Sequence, residues 1–310
     1  MYHIIINQKS KSGIAAHAWN IIEPVLLEKK IPYSVYFTAR RKHASQISAE
    51  INSVQEPYTL IVLGGDGTIN EVVNGLANLS LVTLGYIPLG SGNDFARSLR
   101  LKNNILHNLN LILEKKSIKT MDVGSIACDI GSGKLYTRKF VISSGVGFDA
   151  AVCHQAAVSK WKVLLNRLKL GKLTYAFVAL HRLFKDKTNE LTITFEDGKS
   201  IFFPKTYFVA FMNHRYEGGG FMFAPTASFE DGALDVVIAS NISRVKILFL
   251  LPLAFLGLHA GFKGVHIFKG NFFSLKSSSP LPLHTDGEPM FFRKQVTVSV
   301  FPEKLQIITQ

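Results

Sequence analysis

A chain of 310 residues, 47% hydrophobic and 18% charged, is long enough to bury the cores of about two domains, which excludes a disordered tail or a stapled mini-domain. Two cysteines, Cys128 and Cys153, are too few for a disulfide framework and lie in no metal-type spacing, so they read as small apolar residues of a reducing compartment. Lys and Arg number 35 against 22 Asp and Glu, a net +13, and such an excess asks for an anionic partner: nucleic acid, a phospholipid surface or a phosphorylated small molecule.

Met1-Tyr2-His3-Ile4-Ile5-Ile6-Asn7 has no basic segment leading into a long apolar one, so no secretory leader is expected. Tyr2–Ile6 reads instead as a β-branched strand and Ile14–Lys29 as an amphipathic helix. Tyr33–Phe37 is a second strand and Ala44–Asn52 a second helix. The apolar strand Tyr58–Leu63 runs into Gly64-Gly65-Asp66-Gly67-Thr68, with helical spacing over Ile69–Leu79. Val82–Ile87 returns as strand, Asp94–Leu99 starts another helix, and Ile118–Met121 is strand-like before Asp122. Strands alternating with helices at this spacing predict an α/β fold, with an N-terminal Rossmann-like parallel-sheet domain over 1–124.

Beyond Gly124 the pattern changes. Leu135–Ser143, Leu191–Phe195, Ile201–Phe211, Leu234–Ala239, Asn271–Leu275 and Gln295–Phe301 read as strands, and Glu196-Asp197-Gly198 as a hairpin turn. The expectation is a mainly β, sandwich-like second domain over 125–296, interrupted by a helical insertion at about 150–187. The segment from about 297 to 310 is free to return to the first domain. No linker rich in Pro, Gly or Ser divides the halves, so they should touch and hold the active site in a cleft. The longest apolar run, Ile247–Leu258, contains Pro252 and Gly257 and is shorter than the ~20 residues of a membrane span. It reads as a core helix in preference to a lipid-tail pocket. A cytoplasmic protein, peripherally membrane-associated, is expected.

Chemistry concentrates in glycine-rich loops. Gly64–Thr68 lies between a buried strand and a helix, where glycines let backbone N–H groups approach an anion and the helix N-terminus adds positive potential. Asp66 has the wrong sign for phosphate and would work through magnesium or a neighbouring donor, unless it simply caps a helix. Pro88-Leu89-Gly90-Ser91-Gly92-Asn93-Asp94 repeats the arrangement at the next strand end, and loops at the carboxyl ends of adjacent strands line one crevice. Asp122 is a candidate for the same rim. There is no G-x-x-x-x-G-K-[ST] loop and no G-x-S-x-G elbow. Gly145-Val146-Gly147-Phe148-Asp149-Ala150 imitates a dinucleotide fingerprint but lacks the acidic ribose partner about twenty residues on.

In the second half, Gly218-Gly219-Gly220-Phe221 leads to Ala224-Pro225 and then to Phe229-Glu230-Asp231-Gly232-Ala233-Leu234-Asp235. An acidic turn beside main-chain carbonyls suits a hard divalent cation, though it is also an ordinary turn before a strand. His284-Thr285-Asp286-Gly287-Glu288-Pro289 holds a carboxylate on a D-G turn, which makes it either a candidate general base or a solvated turn.

Taken together, GGDGTINEVVNGL (64–76), IPLGSGNDFARSL (87–99), MDVG (121–124), GVGFDA (145–150), GGGFMFAPTASFEDGALDVV (218–237) and HTDGEP (284–289) resemble the diacylglycerol kinase catalytic family, soluble bacterial lipid kinases related to sphingosine and NAD kinases. The resemblance implies a two-domain kinase that moves the γ-phosphoryl of ATP onto a membrane-lipid hydroxyl, diacylglycerol giving phosphatidic acid. It assigns nucleotide contacts to Gly64, Gly65, Asp66, Gly67, Thr68, Asn70, Glu71, Ser91, Gly92 and Asn93, completed by Asn7, Ser12, Gly13 and Thr38. Asp66, Asp94 and Asp122 would form an aspartate network near the catalytic Mg2+, and Glu288 would accept the hydroxyl proton. A structural Mg2+ would sit on Asp231 with the carbonyls of Ser228 and Ala233. The family's N-P-x-S-G after the first strand is absent here, where Asn7-Gln8-Lys9-Ser10-Lys11-Ser12-Gly13 lacks the proline and runs longer. The choice between Ser10 and Ser12 therefore stays open.

Residues 159–187 carry eight lysines and arginines against Asp186, with Trp161, Leu164, Leu168, Tyr175, Phe177 and Phe184 interleaved. Such a segment suits anionic phospholipid headgroups, or is a solvated helix face. A nucleic-acid partner would need a recognised module, and none appears. An NAD kinase-like enzyme, or a phosphatidylglycerol or sphingoid-base kinase, stays as the alternative. A homodimer is left open.

Overall fold

The computed structural model describes residues 1–8, 10, 14–131, 133–158 and 171–310, with only the backbone given at 156–158 and 171–177. Ser12, Gly13 and the basic segment 159–170 therefore lie outside the described residues.

The N-terminal half interleaves β1 (Tyr2–Asn7), α1 (Ile14–Glu28), β2 (Tyr33–Thr38), α2 (His43–Asn52), β3 (Tyr58–Gly64), α3 (Asp66–Gly75), β4 (Val82–Pro88), α4 (Asp94–Ser98), α5 (Ile105–Glu114) and β5 (Ile118–Met121). Its sheet has the order β2-β1-β3-β4-β15-β5, where β15 is Leu305–Ile308 near the C-terminus. β15 runs parallel to β4 and antiparallel to β5. Both faces of the central strands are covered, and β3 is buried along its whole length. That explains its unbroken apolar run, since a parallel strand between two helical layers has no solvated side to alternate with. Ile5, Leu60, Val62 and Leu84 pack toward α2 and α3, whereas Ile4, Ile6, Ile61 and Leu63 pack toward α1 and α5.

The second half is mainly β. β6 (Gly124–Asp129), β7 (Leu135–Phe140), β8 (Ser143–Gly147), β9 (Asn189–Phe195), β10 (Ser200–Met212), β11 (Leu234–Ser240), β12 (Val265–Gly270), β13 (Phe272–Thr285) and β14 (Glu288–Val300) form one sheet. β8 and β9 both lie between β10 and β13, pairing with opposite ends of those two long strands. The sheet therefore folds over on itself around a core that includes Phe140, Phe211, Phe273 and Leu283. The bends fall at register shifts, between Thr206 and Phe208 on β10 and between Lys276 and Leu281 on β13. The strands expected over 271–275 and 295–301 are thus the two outer ends of one long hairpin, β13–β14. Its middle was illegible because Ser277-Ser278-Ser279-Pro280 breaks the apolar alternation at the register shift between Lys276 and Leu281.

Helices α6 (Phe148–Val158) and α7 (Gly171–Lys185) occupy the expected insertion. α8 (Arg244–Phe255) corrects the reading of 247–258 as a core helix: Ile247, Leu250 and Ala254 are buried, but Val245, Phe249 and Phe255 face outward. Among the described residues no helix is long and apolar enough to cross a membrane.

Candidate active site

Adjacent parallel strands deliver their carboxyl ends to one crevice. At the end of β1, Asn7 Nδ2 donates to Thr68 Oγ1 (2.8 Å), and Asn7 Oδ1 accepts from Thr38 Oγ1 at the end of β2 (3.5 Å). β3 passes into α3 with almost no loop. Gly65 is extended, and its carbonyl accepts the Thr68 N–H at 2.9 Å. The helix begins at Asp66, three residues before the expected Ile69, so the glycine-rich segment is largely a helical first turn. The unsatisfied N–H groups of such a turn, with the positive end of the helix dipole, are what a phosphate group needs.

The loop after β4 packs directly on this turn. Leu89 N–H donates to Gly64 O (2.7 Å), and Tyr86 Oη donates to the same carbonyl (3.0 Å). A Cβ on Gly90 would lie 2.7 Å from the Gly65 Cα, so the two backbones touch only because neither residue has a side chain. Asn93, at φ 53°, ties the loop with a bond from its Nδ2 to Gly90 O (2.9 Å). Ser91 is exposed at the tip of this loop.

Two of the three expected aspartates meet here. Asp66 accepts the N–H groups of Asp94 (3.1 Å) and Phe95 (3.3 Å), which fixes α4 against α3. Asp94 pairs with Arg97 (2.6 Å) and accepts the Gly219 N–H of the second domain (2.6 Å). A Cβ on Gly92 would come within 3.4 Å of Asp66 Oδ2 and 3.8 Å of Asp94 Oδ2, so both carboxylates converge on that loop. Burial, together with the negative charge of Asp94, pushes the Asp66 pKa up to about 7. Converging carboxylates with surplus negative charge are a donor set that fits a hard divalent cation.

Asp122 does not join them. It is fully buried, and its carboxylate accepts the Gly232 N–H (2.6 Å) and pairs with Lys304 (2.8 Å). These contacts tie the Asp231 turn to the end of β5. Asp231 itself pairs with Lys269 Nζ (2.8 Å) and accepts the Ala233 N–H (3.2 Å), while Ser228 Oγ accepts from Glu230 N (3.4 Å). The Lys269 ammonium already neutralises Asp231 and stands 3.5 Å from Asp235. The donor set at this turn therefore does not fit a magnesium ion unless Lys269 leaves.

Glu288 enters the crevice from the second domain. It opens β14 after the two-residue turn Asp286-Gly287, both at positive φ (48° and 77°), the geometry that D-G sequences favour. A Cβ on Gly67 would lie 3.2 Å from Glu288 Oε1, so the carboxylate stands against the first turn of α3. Its Oε2 accepts a hydrogen bond from Arg41, in the segment after β2. Sequence reasoning missed Arg41 because nothing separates it from Arg40 and Lys42.

Asp286 explains why the turn sits there. Partly buried, it accepts the N–H groups of Val141 (3.0 Å), Ile142 (2.8 Å) and Ser143 (3.0 Å), and Asn70 Nδ2 (2.7 Å). Burial raises its pKa against the pull of these bonds. Asn70, expected at the nucleotide, is thus committed to this turn, and its Oδ1 accepts from Arg138 Nη2 (2.6 Å). Glu71 is likewise turned aside, accepting the Lys42 N–H (2.8 Å).

Behind Glu288 lies a second titratable cluster that the motif reading did not single out. His284 Nε2 faces Asp149 Oδ2 (3.1 Å) and Glu217 Oε1 (3.2 Å), and the Gly287 N–H points at His284 Nδ1 (3.2 Å). Burial pulls the His284 pKa down, but the bond to Asp149 and the charge of Glu217 outweigh it and push the value up to about 9. The ligand-type atoms of the three side chains lie within 4.8 Å of one another, an arrangement that can share protons or hold a cation. Burial raises the Glu217 pKa against the pull of the His284 charge. The useful signal in the sequence was GVGFDA, which places Asp149 at the end of β8 beside β13.

The N-terminal domain matches the model of the diacylglycerol kinase catalytic domain over residues 1–126, and residues 141–309 match the YegS C-terminal NAD kinase beta sandwich-like domain. The "Putative lipid kinase YtlR" of Bacillus subtilis (strain 168) is 31% identical over 296 residues, 93% of this chain and 93% of that protein. A protein of the same organism named "Diacylglycerol kinase" is 30% identical over 243 residues, 78% of this chain and 74% of that protein. A crystal structure titled as a putative diacylglycerol kinase from Bacillus anthracis str. Sterne superposes with a TM-score of 0.78 at 22% identity, covering 100% of this chain and 97% of that one. With both domain models matched in order, and an identity above 30% sustained over nearly the whole length, the chain belongs to the diacylglycerol kinase catalytic family of lipid kinases.

Proposed function

We propose that this kinase transfers the γ-phosphoryl of ATP to the hydroxyl of a membrane lipid, with diacylglycerol, giving phosphatidic acid, as the acceptor. The observation that carries the reading is the position of Glu288 against Gly67, which brings a carboxylate of one domain to the phosphate-type helix terminus of the other.

Phosphoryl transfer asks little covalent chemistry of a protein and much positioning. The first turn of α3 and the Leu89–Asn93 loop offer backbone N–H groups to the phosphates, and Asn7, Thr38 and Thr68 form a hydrogen-bonded floor beside them. Asp66 and Asp94 would hold Mg2+, which supplies neutralising charge to the phosphates. The acceptor oxygen attacks the γ-phosphorus, the bond to the β-phosphate oxygen breaks, and the hydroxyl proton passes to Glu288. Arg41 must release Glu288 for that step, and its freed guanidinium is then available to phosphate oxygens. The basic residues of 159–187 are the proposed contact for anionic headgroups.

The test is transfer of label from γ-labelled ATP with magnesium, offering diacylglycerol, phosphatidylglycerol, a sphingoid base and NAD separately. Labelled phosphatidic acid that vanishes in Glu288→Gln supports the proposal. Label on another lipid reassigns the acceptor, label on NAD alone moves the activity to a small-molecule kinase, and no label on any acceptor overturns it.

A further inference from the structure

α8 breaks the rule that a helix on a protein surface shows water a polar face. After Arg244 and Lys246 in its first turn, every residue to Phe255 is apolar. The inner side is accounted for, since Ile247 and Leu250 pack on Ala239 and Ile242. The outer side is exposed: Val245 at 61%, Phe249 at 74%, Phe255 at 47%, and in the following turn Leu256 at 65%, Leu258 at 58% and Phe262 at 41%. Scattered exposed apolar residues are ordinary, but six large ones on one helix and its adjoining turn form a surface that water alone does not favour.

Two observations say what covers it. First, residues 241–263 contain Arg244, Lys246 and Lys263 and no aspartate or glutamate. Lys246 Nζ donates to Lys263 O (2.7 Å), so two of these bases stand together at the edge of the apolar face. An apolar centre with a basic edge is complementary to a bilayer with anionic headgroups. Second, the surface continues into the cleft. The Phe255 ring stacks on Phe221 with centroids 3.9 Å apart, and Met222 N–H donates to Ala254 O (2.8 Å). Phe221 closes the Gly218–Gly220 turn, whose Gly219 N–H is bonded to Asp94.

We propose that the outer face of α8 with the 256–262 turn inserts into the apolar layer of an anionic membrane and seats the cleft over the lipid acceptor. The proposal rests on the lipid kinase reading for its purpose but is measured without catalysis. The full chain is sedimented with vesicles of phosphatidylglycerol and phosphatidylcholine, without ATP, beside Phe249→Ser/Leu256→Ser. Both side chains are exposed, so the melting temperature should hold; if it falls, Val245→Ser/Leu258→Ser replaces the pair.

The expected result is that the double variant binds these vesicles at least tenfold more weakly, while its turnover of a monomeric short-chain diacylglycerol stays within twofold. Equal vesicle binding by wild type and variant overturns the proposal. So does a wild-type dimer that the variant dissolves with no vesicle binding by either, which would make a second copy the occupant. Vesicle binding lost in the variant, with no phosphoryl transfer to any lipid by the wild type, would sink the kinase reading and leave this surface standing.

Discussion

Arg41 and Glu288 form an ion pair across the cleft, joining the segment after β2 to the first residue of β14. One partner is a surface cation and the other is the second-domain carboxylate placed against Gly67, so the pair both closes the crevice and occupies the candidate base.

Substitution at this pair should separate chemistry from stability. Glu288→Gln is expected to lower kcat by about a hundredfold or more, the scale of a lost general base, with the melting temperature unchanged. Arg41, exposed over 66% of its side chain, contributes at most about 1 kcal/mol to folding as a surface partner. Arg41→Ala should therefore melt with the wild type yet lose about tenfold in kcat/KM for ATP. Steady-state kinetics beside thermal melts check both.

The contact between Gly65 and Gly90 predicts a backbone clash. Gly90→Ala would put a methyl group 2.7 Å from the Gly65 Cα and 2.6 Å from Asn93 Oδ1. The loops must separate, at a cost of roughly 1–3 kcal/mol, and ATP affinity should fall with them. Denaturant melts and nucleotide titration of the same preparation measure the two effects.

Asp66 predicts a pH dependence with a definite sign. Its folded pKa, about 7, lies above the ordinary value of 3.8. Between those values the folded protein keeps a proton that the unfolded chain has lost, so without magnesium this group's contribution to stability falls as pH rises from about 4 to about 7. Asp66→Asn should remove that slope, gaining on the order of 1–2 kcal/mol at pH 8 after allowance for partial solvation. Magnesium should raise the melting temperature of the wild type and not of the variant. Calorimetric melts across pH, with and without magnesium, decide it.

Asp286 and Asn70 are predicted to act through position. Asp286→Ala leaves three backbone N–H groups and the Asn70 amide without their acceptor, which should cost about 3–5 kcal/mol. Asn70→Ala removes one of those bonds and should cost about 1–2 kcal/mol. Its signature is a drop in kcat with KM for ATP little changed, because the displaced group is Glu288 and not the phosphate loop. Kinetics on the Asn70 variant distinguish this from a nucleotide-contact role, which would raise KM.

The strands and helices that carry the phosphate-type loops were legible because local patterns encode them: an unbroken apolar run for β3, glycines at the strand ends, helical spacing after them. The start of α3 was misplaced by three residues because Gly65 serves as a helix cap, which the glycine-rich string disguises. Asn70 and Glu71 were read as nucleotide residues from their place in a motif, yet each is held by a partner far along the chain, Asp286 and the Lys42 amide. α8 read as core because it is apolar all round, and apolarity by itself does not say which faces are covered.

The sequence determined an α/β half followed by a β half, the order of the motifs, and the turn chemistry at Asp286-Gly287, since periodicity, glycine placement and turn preference act over a few residues. Tertiary structure alone decided that Glu288 faces Gly67 and that Asp66 and Asp94 converge while Asp122 serves another turn, and it turned the open return of the C-terminal segment into the pairing of β15 with β4 and β5. Those relationships depend on long-range strand pairing, above all the folding of β10 and β13 around β8 and β9, and no local pattern encodes which distant strands close a sheet.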